Sequence, residues 1–139
     1  MTQFRADAGL AFMLQYENVA WYDAGEVRIL DRRIYPAKIA FVRCRTHGEV
    51  AQAIADMVTQ SAGPYTAAAM GMALAAYECR GKPKEEQLAF LRAADDTISN
   101  ARPTTAGRMR LICDGCLKAA ELALEEGRPV DLAIREHAV

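Results

Sequence analysis

The sequence predicts an α+β fold, mostly α, in which a small three-stranded antiparallel sheet is followed by a bundle of about five helices. Three observations carry this. Alternation of apolar and polar residues is confined to the stretch from about residue 16 to residue 45, around an Asp-Ala-Gly turn. From Thr46 onward apolar residues recur at helical spacing, cut into helix-sized pieces by Pro and Gly. A hydrophobic fraction of 52%, with 9 Gly and 5 Pro in 139 residues, excludes a disordered or fibrous chain. The length predicts one domain over residues 16–139, preceded by an arm or short helix over residues 1–15.

The sheet is read first. Val19 and Trp21 sit two apart, Asp23-Ala24-Gly25 is a turn, and Val27 and Ile29 alternate with Glu26 and Arg28, which makes a hairpin. After a break at Tyr35-Pro36, Lys38-Ile39-Ala40-Phe41-Val42 supplies the third strand. The helices follow. Thr46-His47-Gly48-Glu49 is a capping box, and Val50, Ala53, Ile54, Met57 and Val58 form one helical face behind it. Pro64 suits the first position of an alanine-rich helix that runs to Arg80-Gly81, whose small residues mark it as the central one. Pro83 opens a third helix with Leu88, Leu91, Ala94 and Ile98 on one side. Pro103 opens a fourth, striped by Met109, Ile112, Cys113, Cys116, Leu117, Ala120 and Leu124 up to Gly127, and Pro129 starts a short fifth.

Charge and hydropathy exclude several function classes. A formal net charge of −1 offers no positive field for nucleic acid or an anionic membrane, so neither is expected as a partner. The longest apolar run, Ala67 to Tyr77, is far short of the ~20 residues that span a bilayer. Met1 to Leu14 contains Arg5 and Asp7 and no apolar core, so no secretory signal is expected and the protein is read as cytoplasmic. In that compartment Cys44, Cys79, Cys113 and Cys116 are free thiols.

The search for chemistry narrows to two places. Cys113-Asp114-Gly115-Cys116 lies inside a helix on its apolar stripe without a second pair, so it reads as core and not as a redox or metal site. His47 and His137 have no carboxylate or thiol at ligand spacing and read as surface residues, and Lys82 to Glu86 reads as a solvated helix start. No phosphate-binding glycine loop and no G-x-S-x-G is present. No metal and no cofactor is therefore expected. Gln60-Ser61-Ala62-Gly63-Pro64 and Asn100-Ala101-Arg102-Pro103-Thr104-Thr105 each place small or polar residues before a helix that begins with proline. Free N–H groups there suit a phosphate or carboxylate, and Arg102 adds a fork of donors; each stretch serves equally well as a plain helix cap.

Several segments in fixed order resemble one family. Val19-Ala20-Trp21 is followed by Val27-Arg28-Ile29-Leu30-Asp31-Arg32-Arg33-Ile34-Tyr35-Pro36, then by Val50 to Met57, Ala67 to Leu74, and Ala101-Arg102-Pro103-Thr104. Val130 to His137 completes the series. Together they resemble the N-terminal domain of the methylthioribose-1-phosphate isomerases, a family related to ribose-1,5-bisphosphate isomerases and to the alpha, beta and delta subunits of eIF-2B. The resemblance covers about Tyr16 to Val139, and the Ala-Arg-Pro-Thr stretch is its most specific match.

The resemblance implies an aldose-to-ketose isomerisation of a sugar phosphate in methionine salvage, performed by a cysteine and an aspartate of a C-terminal Rossmann-like domain. It places no catalytic residue in this chain. It maps a substrate-binding arginine onto Arg102, with Thr104 beside it, and a substrate loop onto Gln60, Ser61, Ala62 and Gly63. The family's Arg-Gly-Ala-Pro loop departs here to Gln60-Ser61-Ala62-Gly63 and is one residue shorter before Gly71. Replacing that guanidinium by an amide removes a charge-assisted contact of about 1.5–3 kcal/mol. The expected function is a binding or interaction module, catalytically silent alone. The alternatives are the substrate-binding half of a split isomerase, completed by a separate Rossmann-like catalytic subunit, and a remnant without ligand. An apolar face left uncovered also makes a homodimer an expected partner state.

Overall fold

The computed structural model describes residues 16–60 and 63–139; for Tyr16 and Glu17 it describes the backbone alone. The elements run α1 (Tyr16–Val19), β1 (Ala20–Asp23), β2 (Glu26–Leu30), β3 (Phe41–Cys44), α2 (His47–Ala55), α3 (Gly63–Glu78), α4 (Lys84–Ser99), a 3-10 turn (Pro103–Thr105), α5 (Ala106–Glu126) and α6 (Val130–Ala138). A three-stranded antiparallel sheet in the order β1-β2-β3 precedes the helices. The predicted α+β, mostly α architecture is the observed one.

The hairpin register pairs Ala20 with Ile29 and Asp23 with Glu26. Its two turn residues, Ala24 and Gly25, both have positive φ, 48° and 83°, the twist that suits a two-residue connection. Gly25 is further constrained, because a Cβ there would lie 2.6 Å from Cε2 of Tyr77. Strand periodicity then sends Ala20, Tyr22, Val27, Ile29 and Cys44 into the core, all with at most 1% exposure.

α3 is the central helix. Twelve of its residues are buried, from Gly63 through Ala76, so it is apolar all round and is covered by α2, α4, α5, α6 and the sheet. Gly71 sits where α2, α3 and α4 meet: a Cβ there would lie 2.9 Å from Cγ1 of Val50 and 3.0 Å from Cδ1 of Ile98. α2 starts at the predicted capping box, with Thr46 accepting from the backbone of Glu49 and Glu49 accepting in return from that of Thr46. α5 ends where Gly127 takes the left-handed conformation, φ 69°.

The structure corrects several boundaries. Residues 16–19 are a short helix instead of the lead into a strand. The third strand begins at Phe41 and not at Lys38, because residues 32–37 form turns whose bonds run from Tyr35 N to Asp31 O and from Lys38 N to Ile34 O. Asp31 organises that connection: its carboxylate accepts from the backbone and guanidinium of Arg33, and its N–H donates to Ala40. α2 stops at Ala55, so Met57, with φ 64° and 47% exposure, lies beyond the helical face assigned to it, while Val58 is buried from the following loop. α3 ends at Glu78, before Arg80-Gly81. Pro83 caps α4 from outside, and Pro103 opens a 3-10 turn before α5. The arm assigned to residues 1–15 lies outside the described residues.

Candidate functional site

Arg102 lies between α4 and the 3-10 turn in an extended conformation, φ −131° and ψ 116°. Its half-buried side chain reaches back to the end of α2, where Nε donates to the carbonyl of Ile54 at 2.8 Å and Nη2 to that of Thr59 at 2.6 Å. The Ile54 carbonyl in the last turn of α2 also accepts from the Met57 N–H at 3.2 Å, so the guanidinium adds a second donor to that helix end while joining residues far apart in sequence. Two of its five donors are used in this way; the other three lie outside these bonds.

The Thr59 carbonyl also locates the second predicted stretch, since Gln60 follows directly. The fold therefore brings Arg102 and Gln60 to the same end of the bundle, as neighbours of one loop. Gln60 turns its amide back onto the carbonyl of Met57 at 3.2 Å. Ser61 and Ala62 lie outside the described residues. Gly63 and Pro64 are both buried, and the Gly63 N–H is taken by Gln60 O at 3.0 Å. The start of α3 thus offers an anion fewer free donors than the sequence pattern promises. A Cβ at Gly63 would overlap Oγ1 of Thr59, itself buried, so glycine is required for this loop to close. Thr104 is exposed on the 3-10 turn beside Arg102.

The other candidates divide. Cys113 and Cys116 are fully buried in the core, and burial pushes both thiols up to about 12. Cys44 is raised to about 11 for the same reason, and Cys79 is also raised by burial. A thiol held this way is no nucleophile near neutrality. Among the described residues no cluster of three or more His, Cys, Asp or Glu side chains could hold a metal ion, and no helix is long and apolar enough to cross a membrane. Lys82 to Glu86 is exposed as predicted, and so is His137.

His47 is not the free surface residue its sequence context suggests. Glu78, at the end of α3, accepts from the His47 backbone N–H and lies 2.7 Å from Nδ1, while Phe90 of α4 packs edge-on against the imidazole. Both side chains are about four-fifths buried. The fold supplies the carboxylate that local spacing lacks.

A buried polar cluster between α4 and α5 escaped the sequence reading. Asp95 is 2% exposed on the apolar side of α4, where it accepts from Ser99 at 2.8 Å and from Arg110 at 3.2 Å. Burial and a shared hydrogen bond with the Asp114 carboxyl raise its pKa. The available signal was Asp95 standing four residues after Leu91 on an otherwise apolar stripe.

Relatives of known identity cover much of the chain. No protein-family model matches it. The methylthioribose-1-phosphate isomerase of Roseiflexus castenholzii is 39% identical over 90 residues, 62% of this chain and 25% of that protein. The isomerase of Syntrophotalea carbinolica is 35% identical over 103 residues, 73% of this chain and 30% of that protein. Among solved structures, 5-methylthioribose 1-phosphate isomerase from Pyrococcus horikoshii OT3 matches 87% of this chain and 34% of its own, with a TM-score of 0.69 and 27% identity. Subunit delta of translation initiation factor eIF-2B from A. fulgidus matches the same shares at a TM-score of 0.69 and 29% identity. This chain therefore spans a quarter to about a third of the length of the relatives it matches. It is a homologue of the N-terminal part of the methylthioribose-1-phosphate isomerases and of the eIF-2B delta-like proteins.

Proposed function

We propose that this chain is a cytoplasmic sugar-phosphate-binding module of methionine salvage, related to methylthioribose-1-phosphate isomerases but silent by itself as a catalyst. The observation that carries the reading is Arg102, held on the carbonyls of Ile54 and Thr59, the second of which joins directly to Gln60. A pre-positioned guanidinium loses little side-chain entropy when it takes a phosphate. Thr104 and the Gln60–Gly63 loop complete the contact surface in this reading. The proposed silence rests on the resemblance, which places no catalytic residue among these positions, and is supported by the burial of all four cysteines in the fold.

Thermal denaturation against methylthioribose 1-phosphate and other pentose phosphates, beside an isomerisation assay of the same preparation, tests both parts. At 100 times its dissociation constant a ligand adds about 2.7 kcal/mol to stability. The expected result is a melting shift with at least one sugar phosphate, reduced in Arg102→Lys, together with no turnover. Turnover at an enzyme-like rate overturns the silence, and no shift with any pentose phosphate overturns the binding role. The alternative, a substrate-binding half completed by a separate Rossmann-like subunit, is favoured by the intact Ala101-Arg102-Pro103-Thr104 stretch. It predicts activity when this chain is mixed with such a subunit and none from either alone.

A further inference from the structure

β3 ends the sheet on one side, and its register fixes which of its backbone groups face outward. The Asp31 N–H donates to Ala40 O, and Leu30 stands opposite Phe41. Hydrogen-bonded pairs alternate along an antiparallel ladder, so Ala40, Val42 and Cys44 turn their N–H and C=O groups to β2, while Phe41 and Arg43 turn theirs away. Arg45 continues the alternation: its outward N–H is taken by the Glu49 carboxylate at 2.8 Å. Among the described residues no strand lies beyond β3, and the two N–H and two C=O groups of Phe41 and Arg43 form an open edge. The side chains alternate as well. Val42 and Cys44 lie on the core side of the sheet, opposite Ile29 and Val27, which leaves Phe41 and Arg43 on its outer side.

Charge decides what this edge accepts. Arg43 keeps 65% of its side chain exposed while pairing with Glu26, and Arg45 keeps 84% exposed. Arg28, opposite Arg43, holds its guanidinium 4.5 Å from the centre of the Phe41 ring, and Lys38 is exposed at the entry to the strand. These four basic groups stand beside two acidic ones, Glu26 and Glu49, in a chain whose net charge is −1. A second copy of β3 would bring arginines near arginines, and like charges on an edge strand are a means of preventing such self-pairing. An acidic strand meets the opposite sign. We propose that the outer edge of β3 is a docking site for an extended acidic segment of a partner protein, which adds to the sheet as a fourth strand. Its backbone pairs with Phe41 and Arg43, and every second side chain, a carboxylate, falls on the outer face against Arg43 and Arg45. A single-stranded nucleic acid would meet the arginines but has no peptide groups to pair with the edge. This inference is independent of the sugar-phosphate reading and uses none of its residues.

Amide-resolved NMR of the full chain, titrated with a short peptide of alternating glutamate and valine, tests it. At saturation the Phe41 and Arg43 amides are expected to gain at least about tenfold protection from hydrogen exchange, while those of Val42 and Cys44, already paired with β2, change little. The same peptide with lysine in place of glutamate does not bind. Arg43→Glu and Arg45→Glu each weaken the glutamate peptide several-fold, and the double variant Arg43→Glu/Arg45→Glu binds the lysine peptide in its place. Both positions are exposed, and unchanged amide shifts of the helices verify that each variant is folded. Failure of the glutamate peptide to bind overturns the proposal. So does binding that leaves the Phe41 and Arg43 amides unprotected, which would be charge attraction without strand addition, or full protection of both before any peptide is added, which would mean that the edge is already occupied. Binding of oligouridylate as tight as that of the peptide would reassign the face to nucleic acid and overturn it too.

Discussion

The hydroxyl of Tyr22 donates a hydrogen bond of 2.5 Å to the carboxylate of Asp131, across 109 residues of sequence. It joins β1 to the first turn of α6, and Arg135, one turn further on, donates to the Tyr22 carbonyl at 3.1 Å. The last helix is therefore held to the first strand by polar contacts as well as by packing on α3. Burial, followed by the carboxylate of Asp131, holds the Tyr22 phenol well above its usual range, so it remains a donor at every physiological pH.

Removing either partner is expected to have unequal effects. Asp131→Ala leaves the fully buried Tyr22 hydroxyl without its acceptor, which costs about 1–3 kcal/mol. Tyr22→Phe removes the donor and leaves a half-exposed carboxylate that water can solvate, so its cost is nearer 0.5–1.5 kcal/mol, roughly that of an ordinary hydrogen bond. Urea denaturation of both variants measures the order; equal losses would mean that water reaches Tyr22.

Asp95 gives stability a pH dependence of defined sign. Its folded pKa lies above the 3.8 of the free side chain, because it is buried beside Asp114. Over the range between the two values the folded protein holds a proton that the unfolded chain has released, so stability falls as pH rises, on the order of 1 kcal/mol per pH unit at most. The fall ends near pH 6, where Asp95 ionises in the fold as well. Asp31 acts in the opposite direction, since Arg33 lowers its pKa and its contribution is lost only as pH falls below the ordinary carboxylate range. Unfolding midpoints from pH 4 to 7 should therefore decline with rising pH in the parent, and the decline should disappear in Asp95→Asn.

Much of the architecture was legible because its causes are local. The capping box at Thr46, the Gly127 terminus and the Asp23-Ala24-Gly25 turn each act within four residues, and the structure contains all three. What was not legible depends on contacts across the chain. The start of β3 is set by Asp31, which binds Arg33 and Ala40 at once. His47 finds its carboxylate 31 residues away in Glu78. Arg102 was singled out for phosphate binding, whereas the bonds it makes in the fold, to Ile54 and Thr59, span 48 and 43 residues and no spacing rule encodes them.

The buried thiols make a chemical prediction. With Cys113 and Cys116 raised to about 12 and Cys44 to about 11, the native protein should resist disulfide-forming reagents at pH 8, since the thiolate fraction and access are both low. In denaturant all 4 cysteines should react promptly. Fast reaction at Cys113 or Cys116 in the native protein would mean that α5 opens locally, and its rate against denaturant concentration would measure that opening.

Gly63 and Thr59 should be energetically coupled. A methyl group at Gly63 would collide with the buried Thr59 hydroxyl. Gly63→Ala is therefore expected to destabilise the protein by about 1–3 kcal/mol, as overpacking does, despite the better helix propensity of alanine at the start of α3. Thr59→Ala removes the hydroxyl and leaves the Cβ of residue 59 and Cγ1 of Val19, each at 3.4 Å, as ordinary contacts, so Gly63→Ala should cost much less in that background. A double-mutant cycle measures the difference as an interaction energy of about 0.5–3 kcal/mol. Additive costs would instead place the strain in the backbone, which continues directly into the Thr59 carbonyl bound by Arg102. Arg102→Ala would then be expected to relax Gly63→Ala as effectively as Thr59→Ala does, and comparison of the two backgrounds separates steric crowding at the hydroxyl from tension transmitted through the loop.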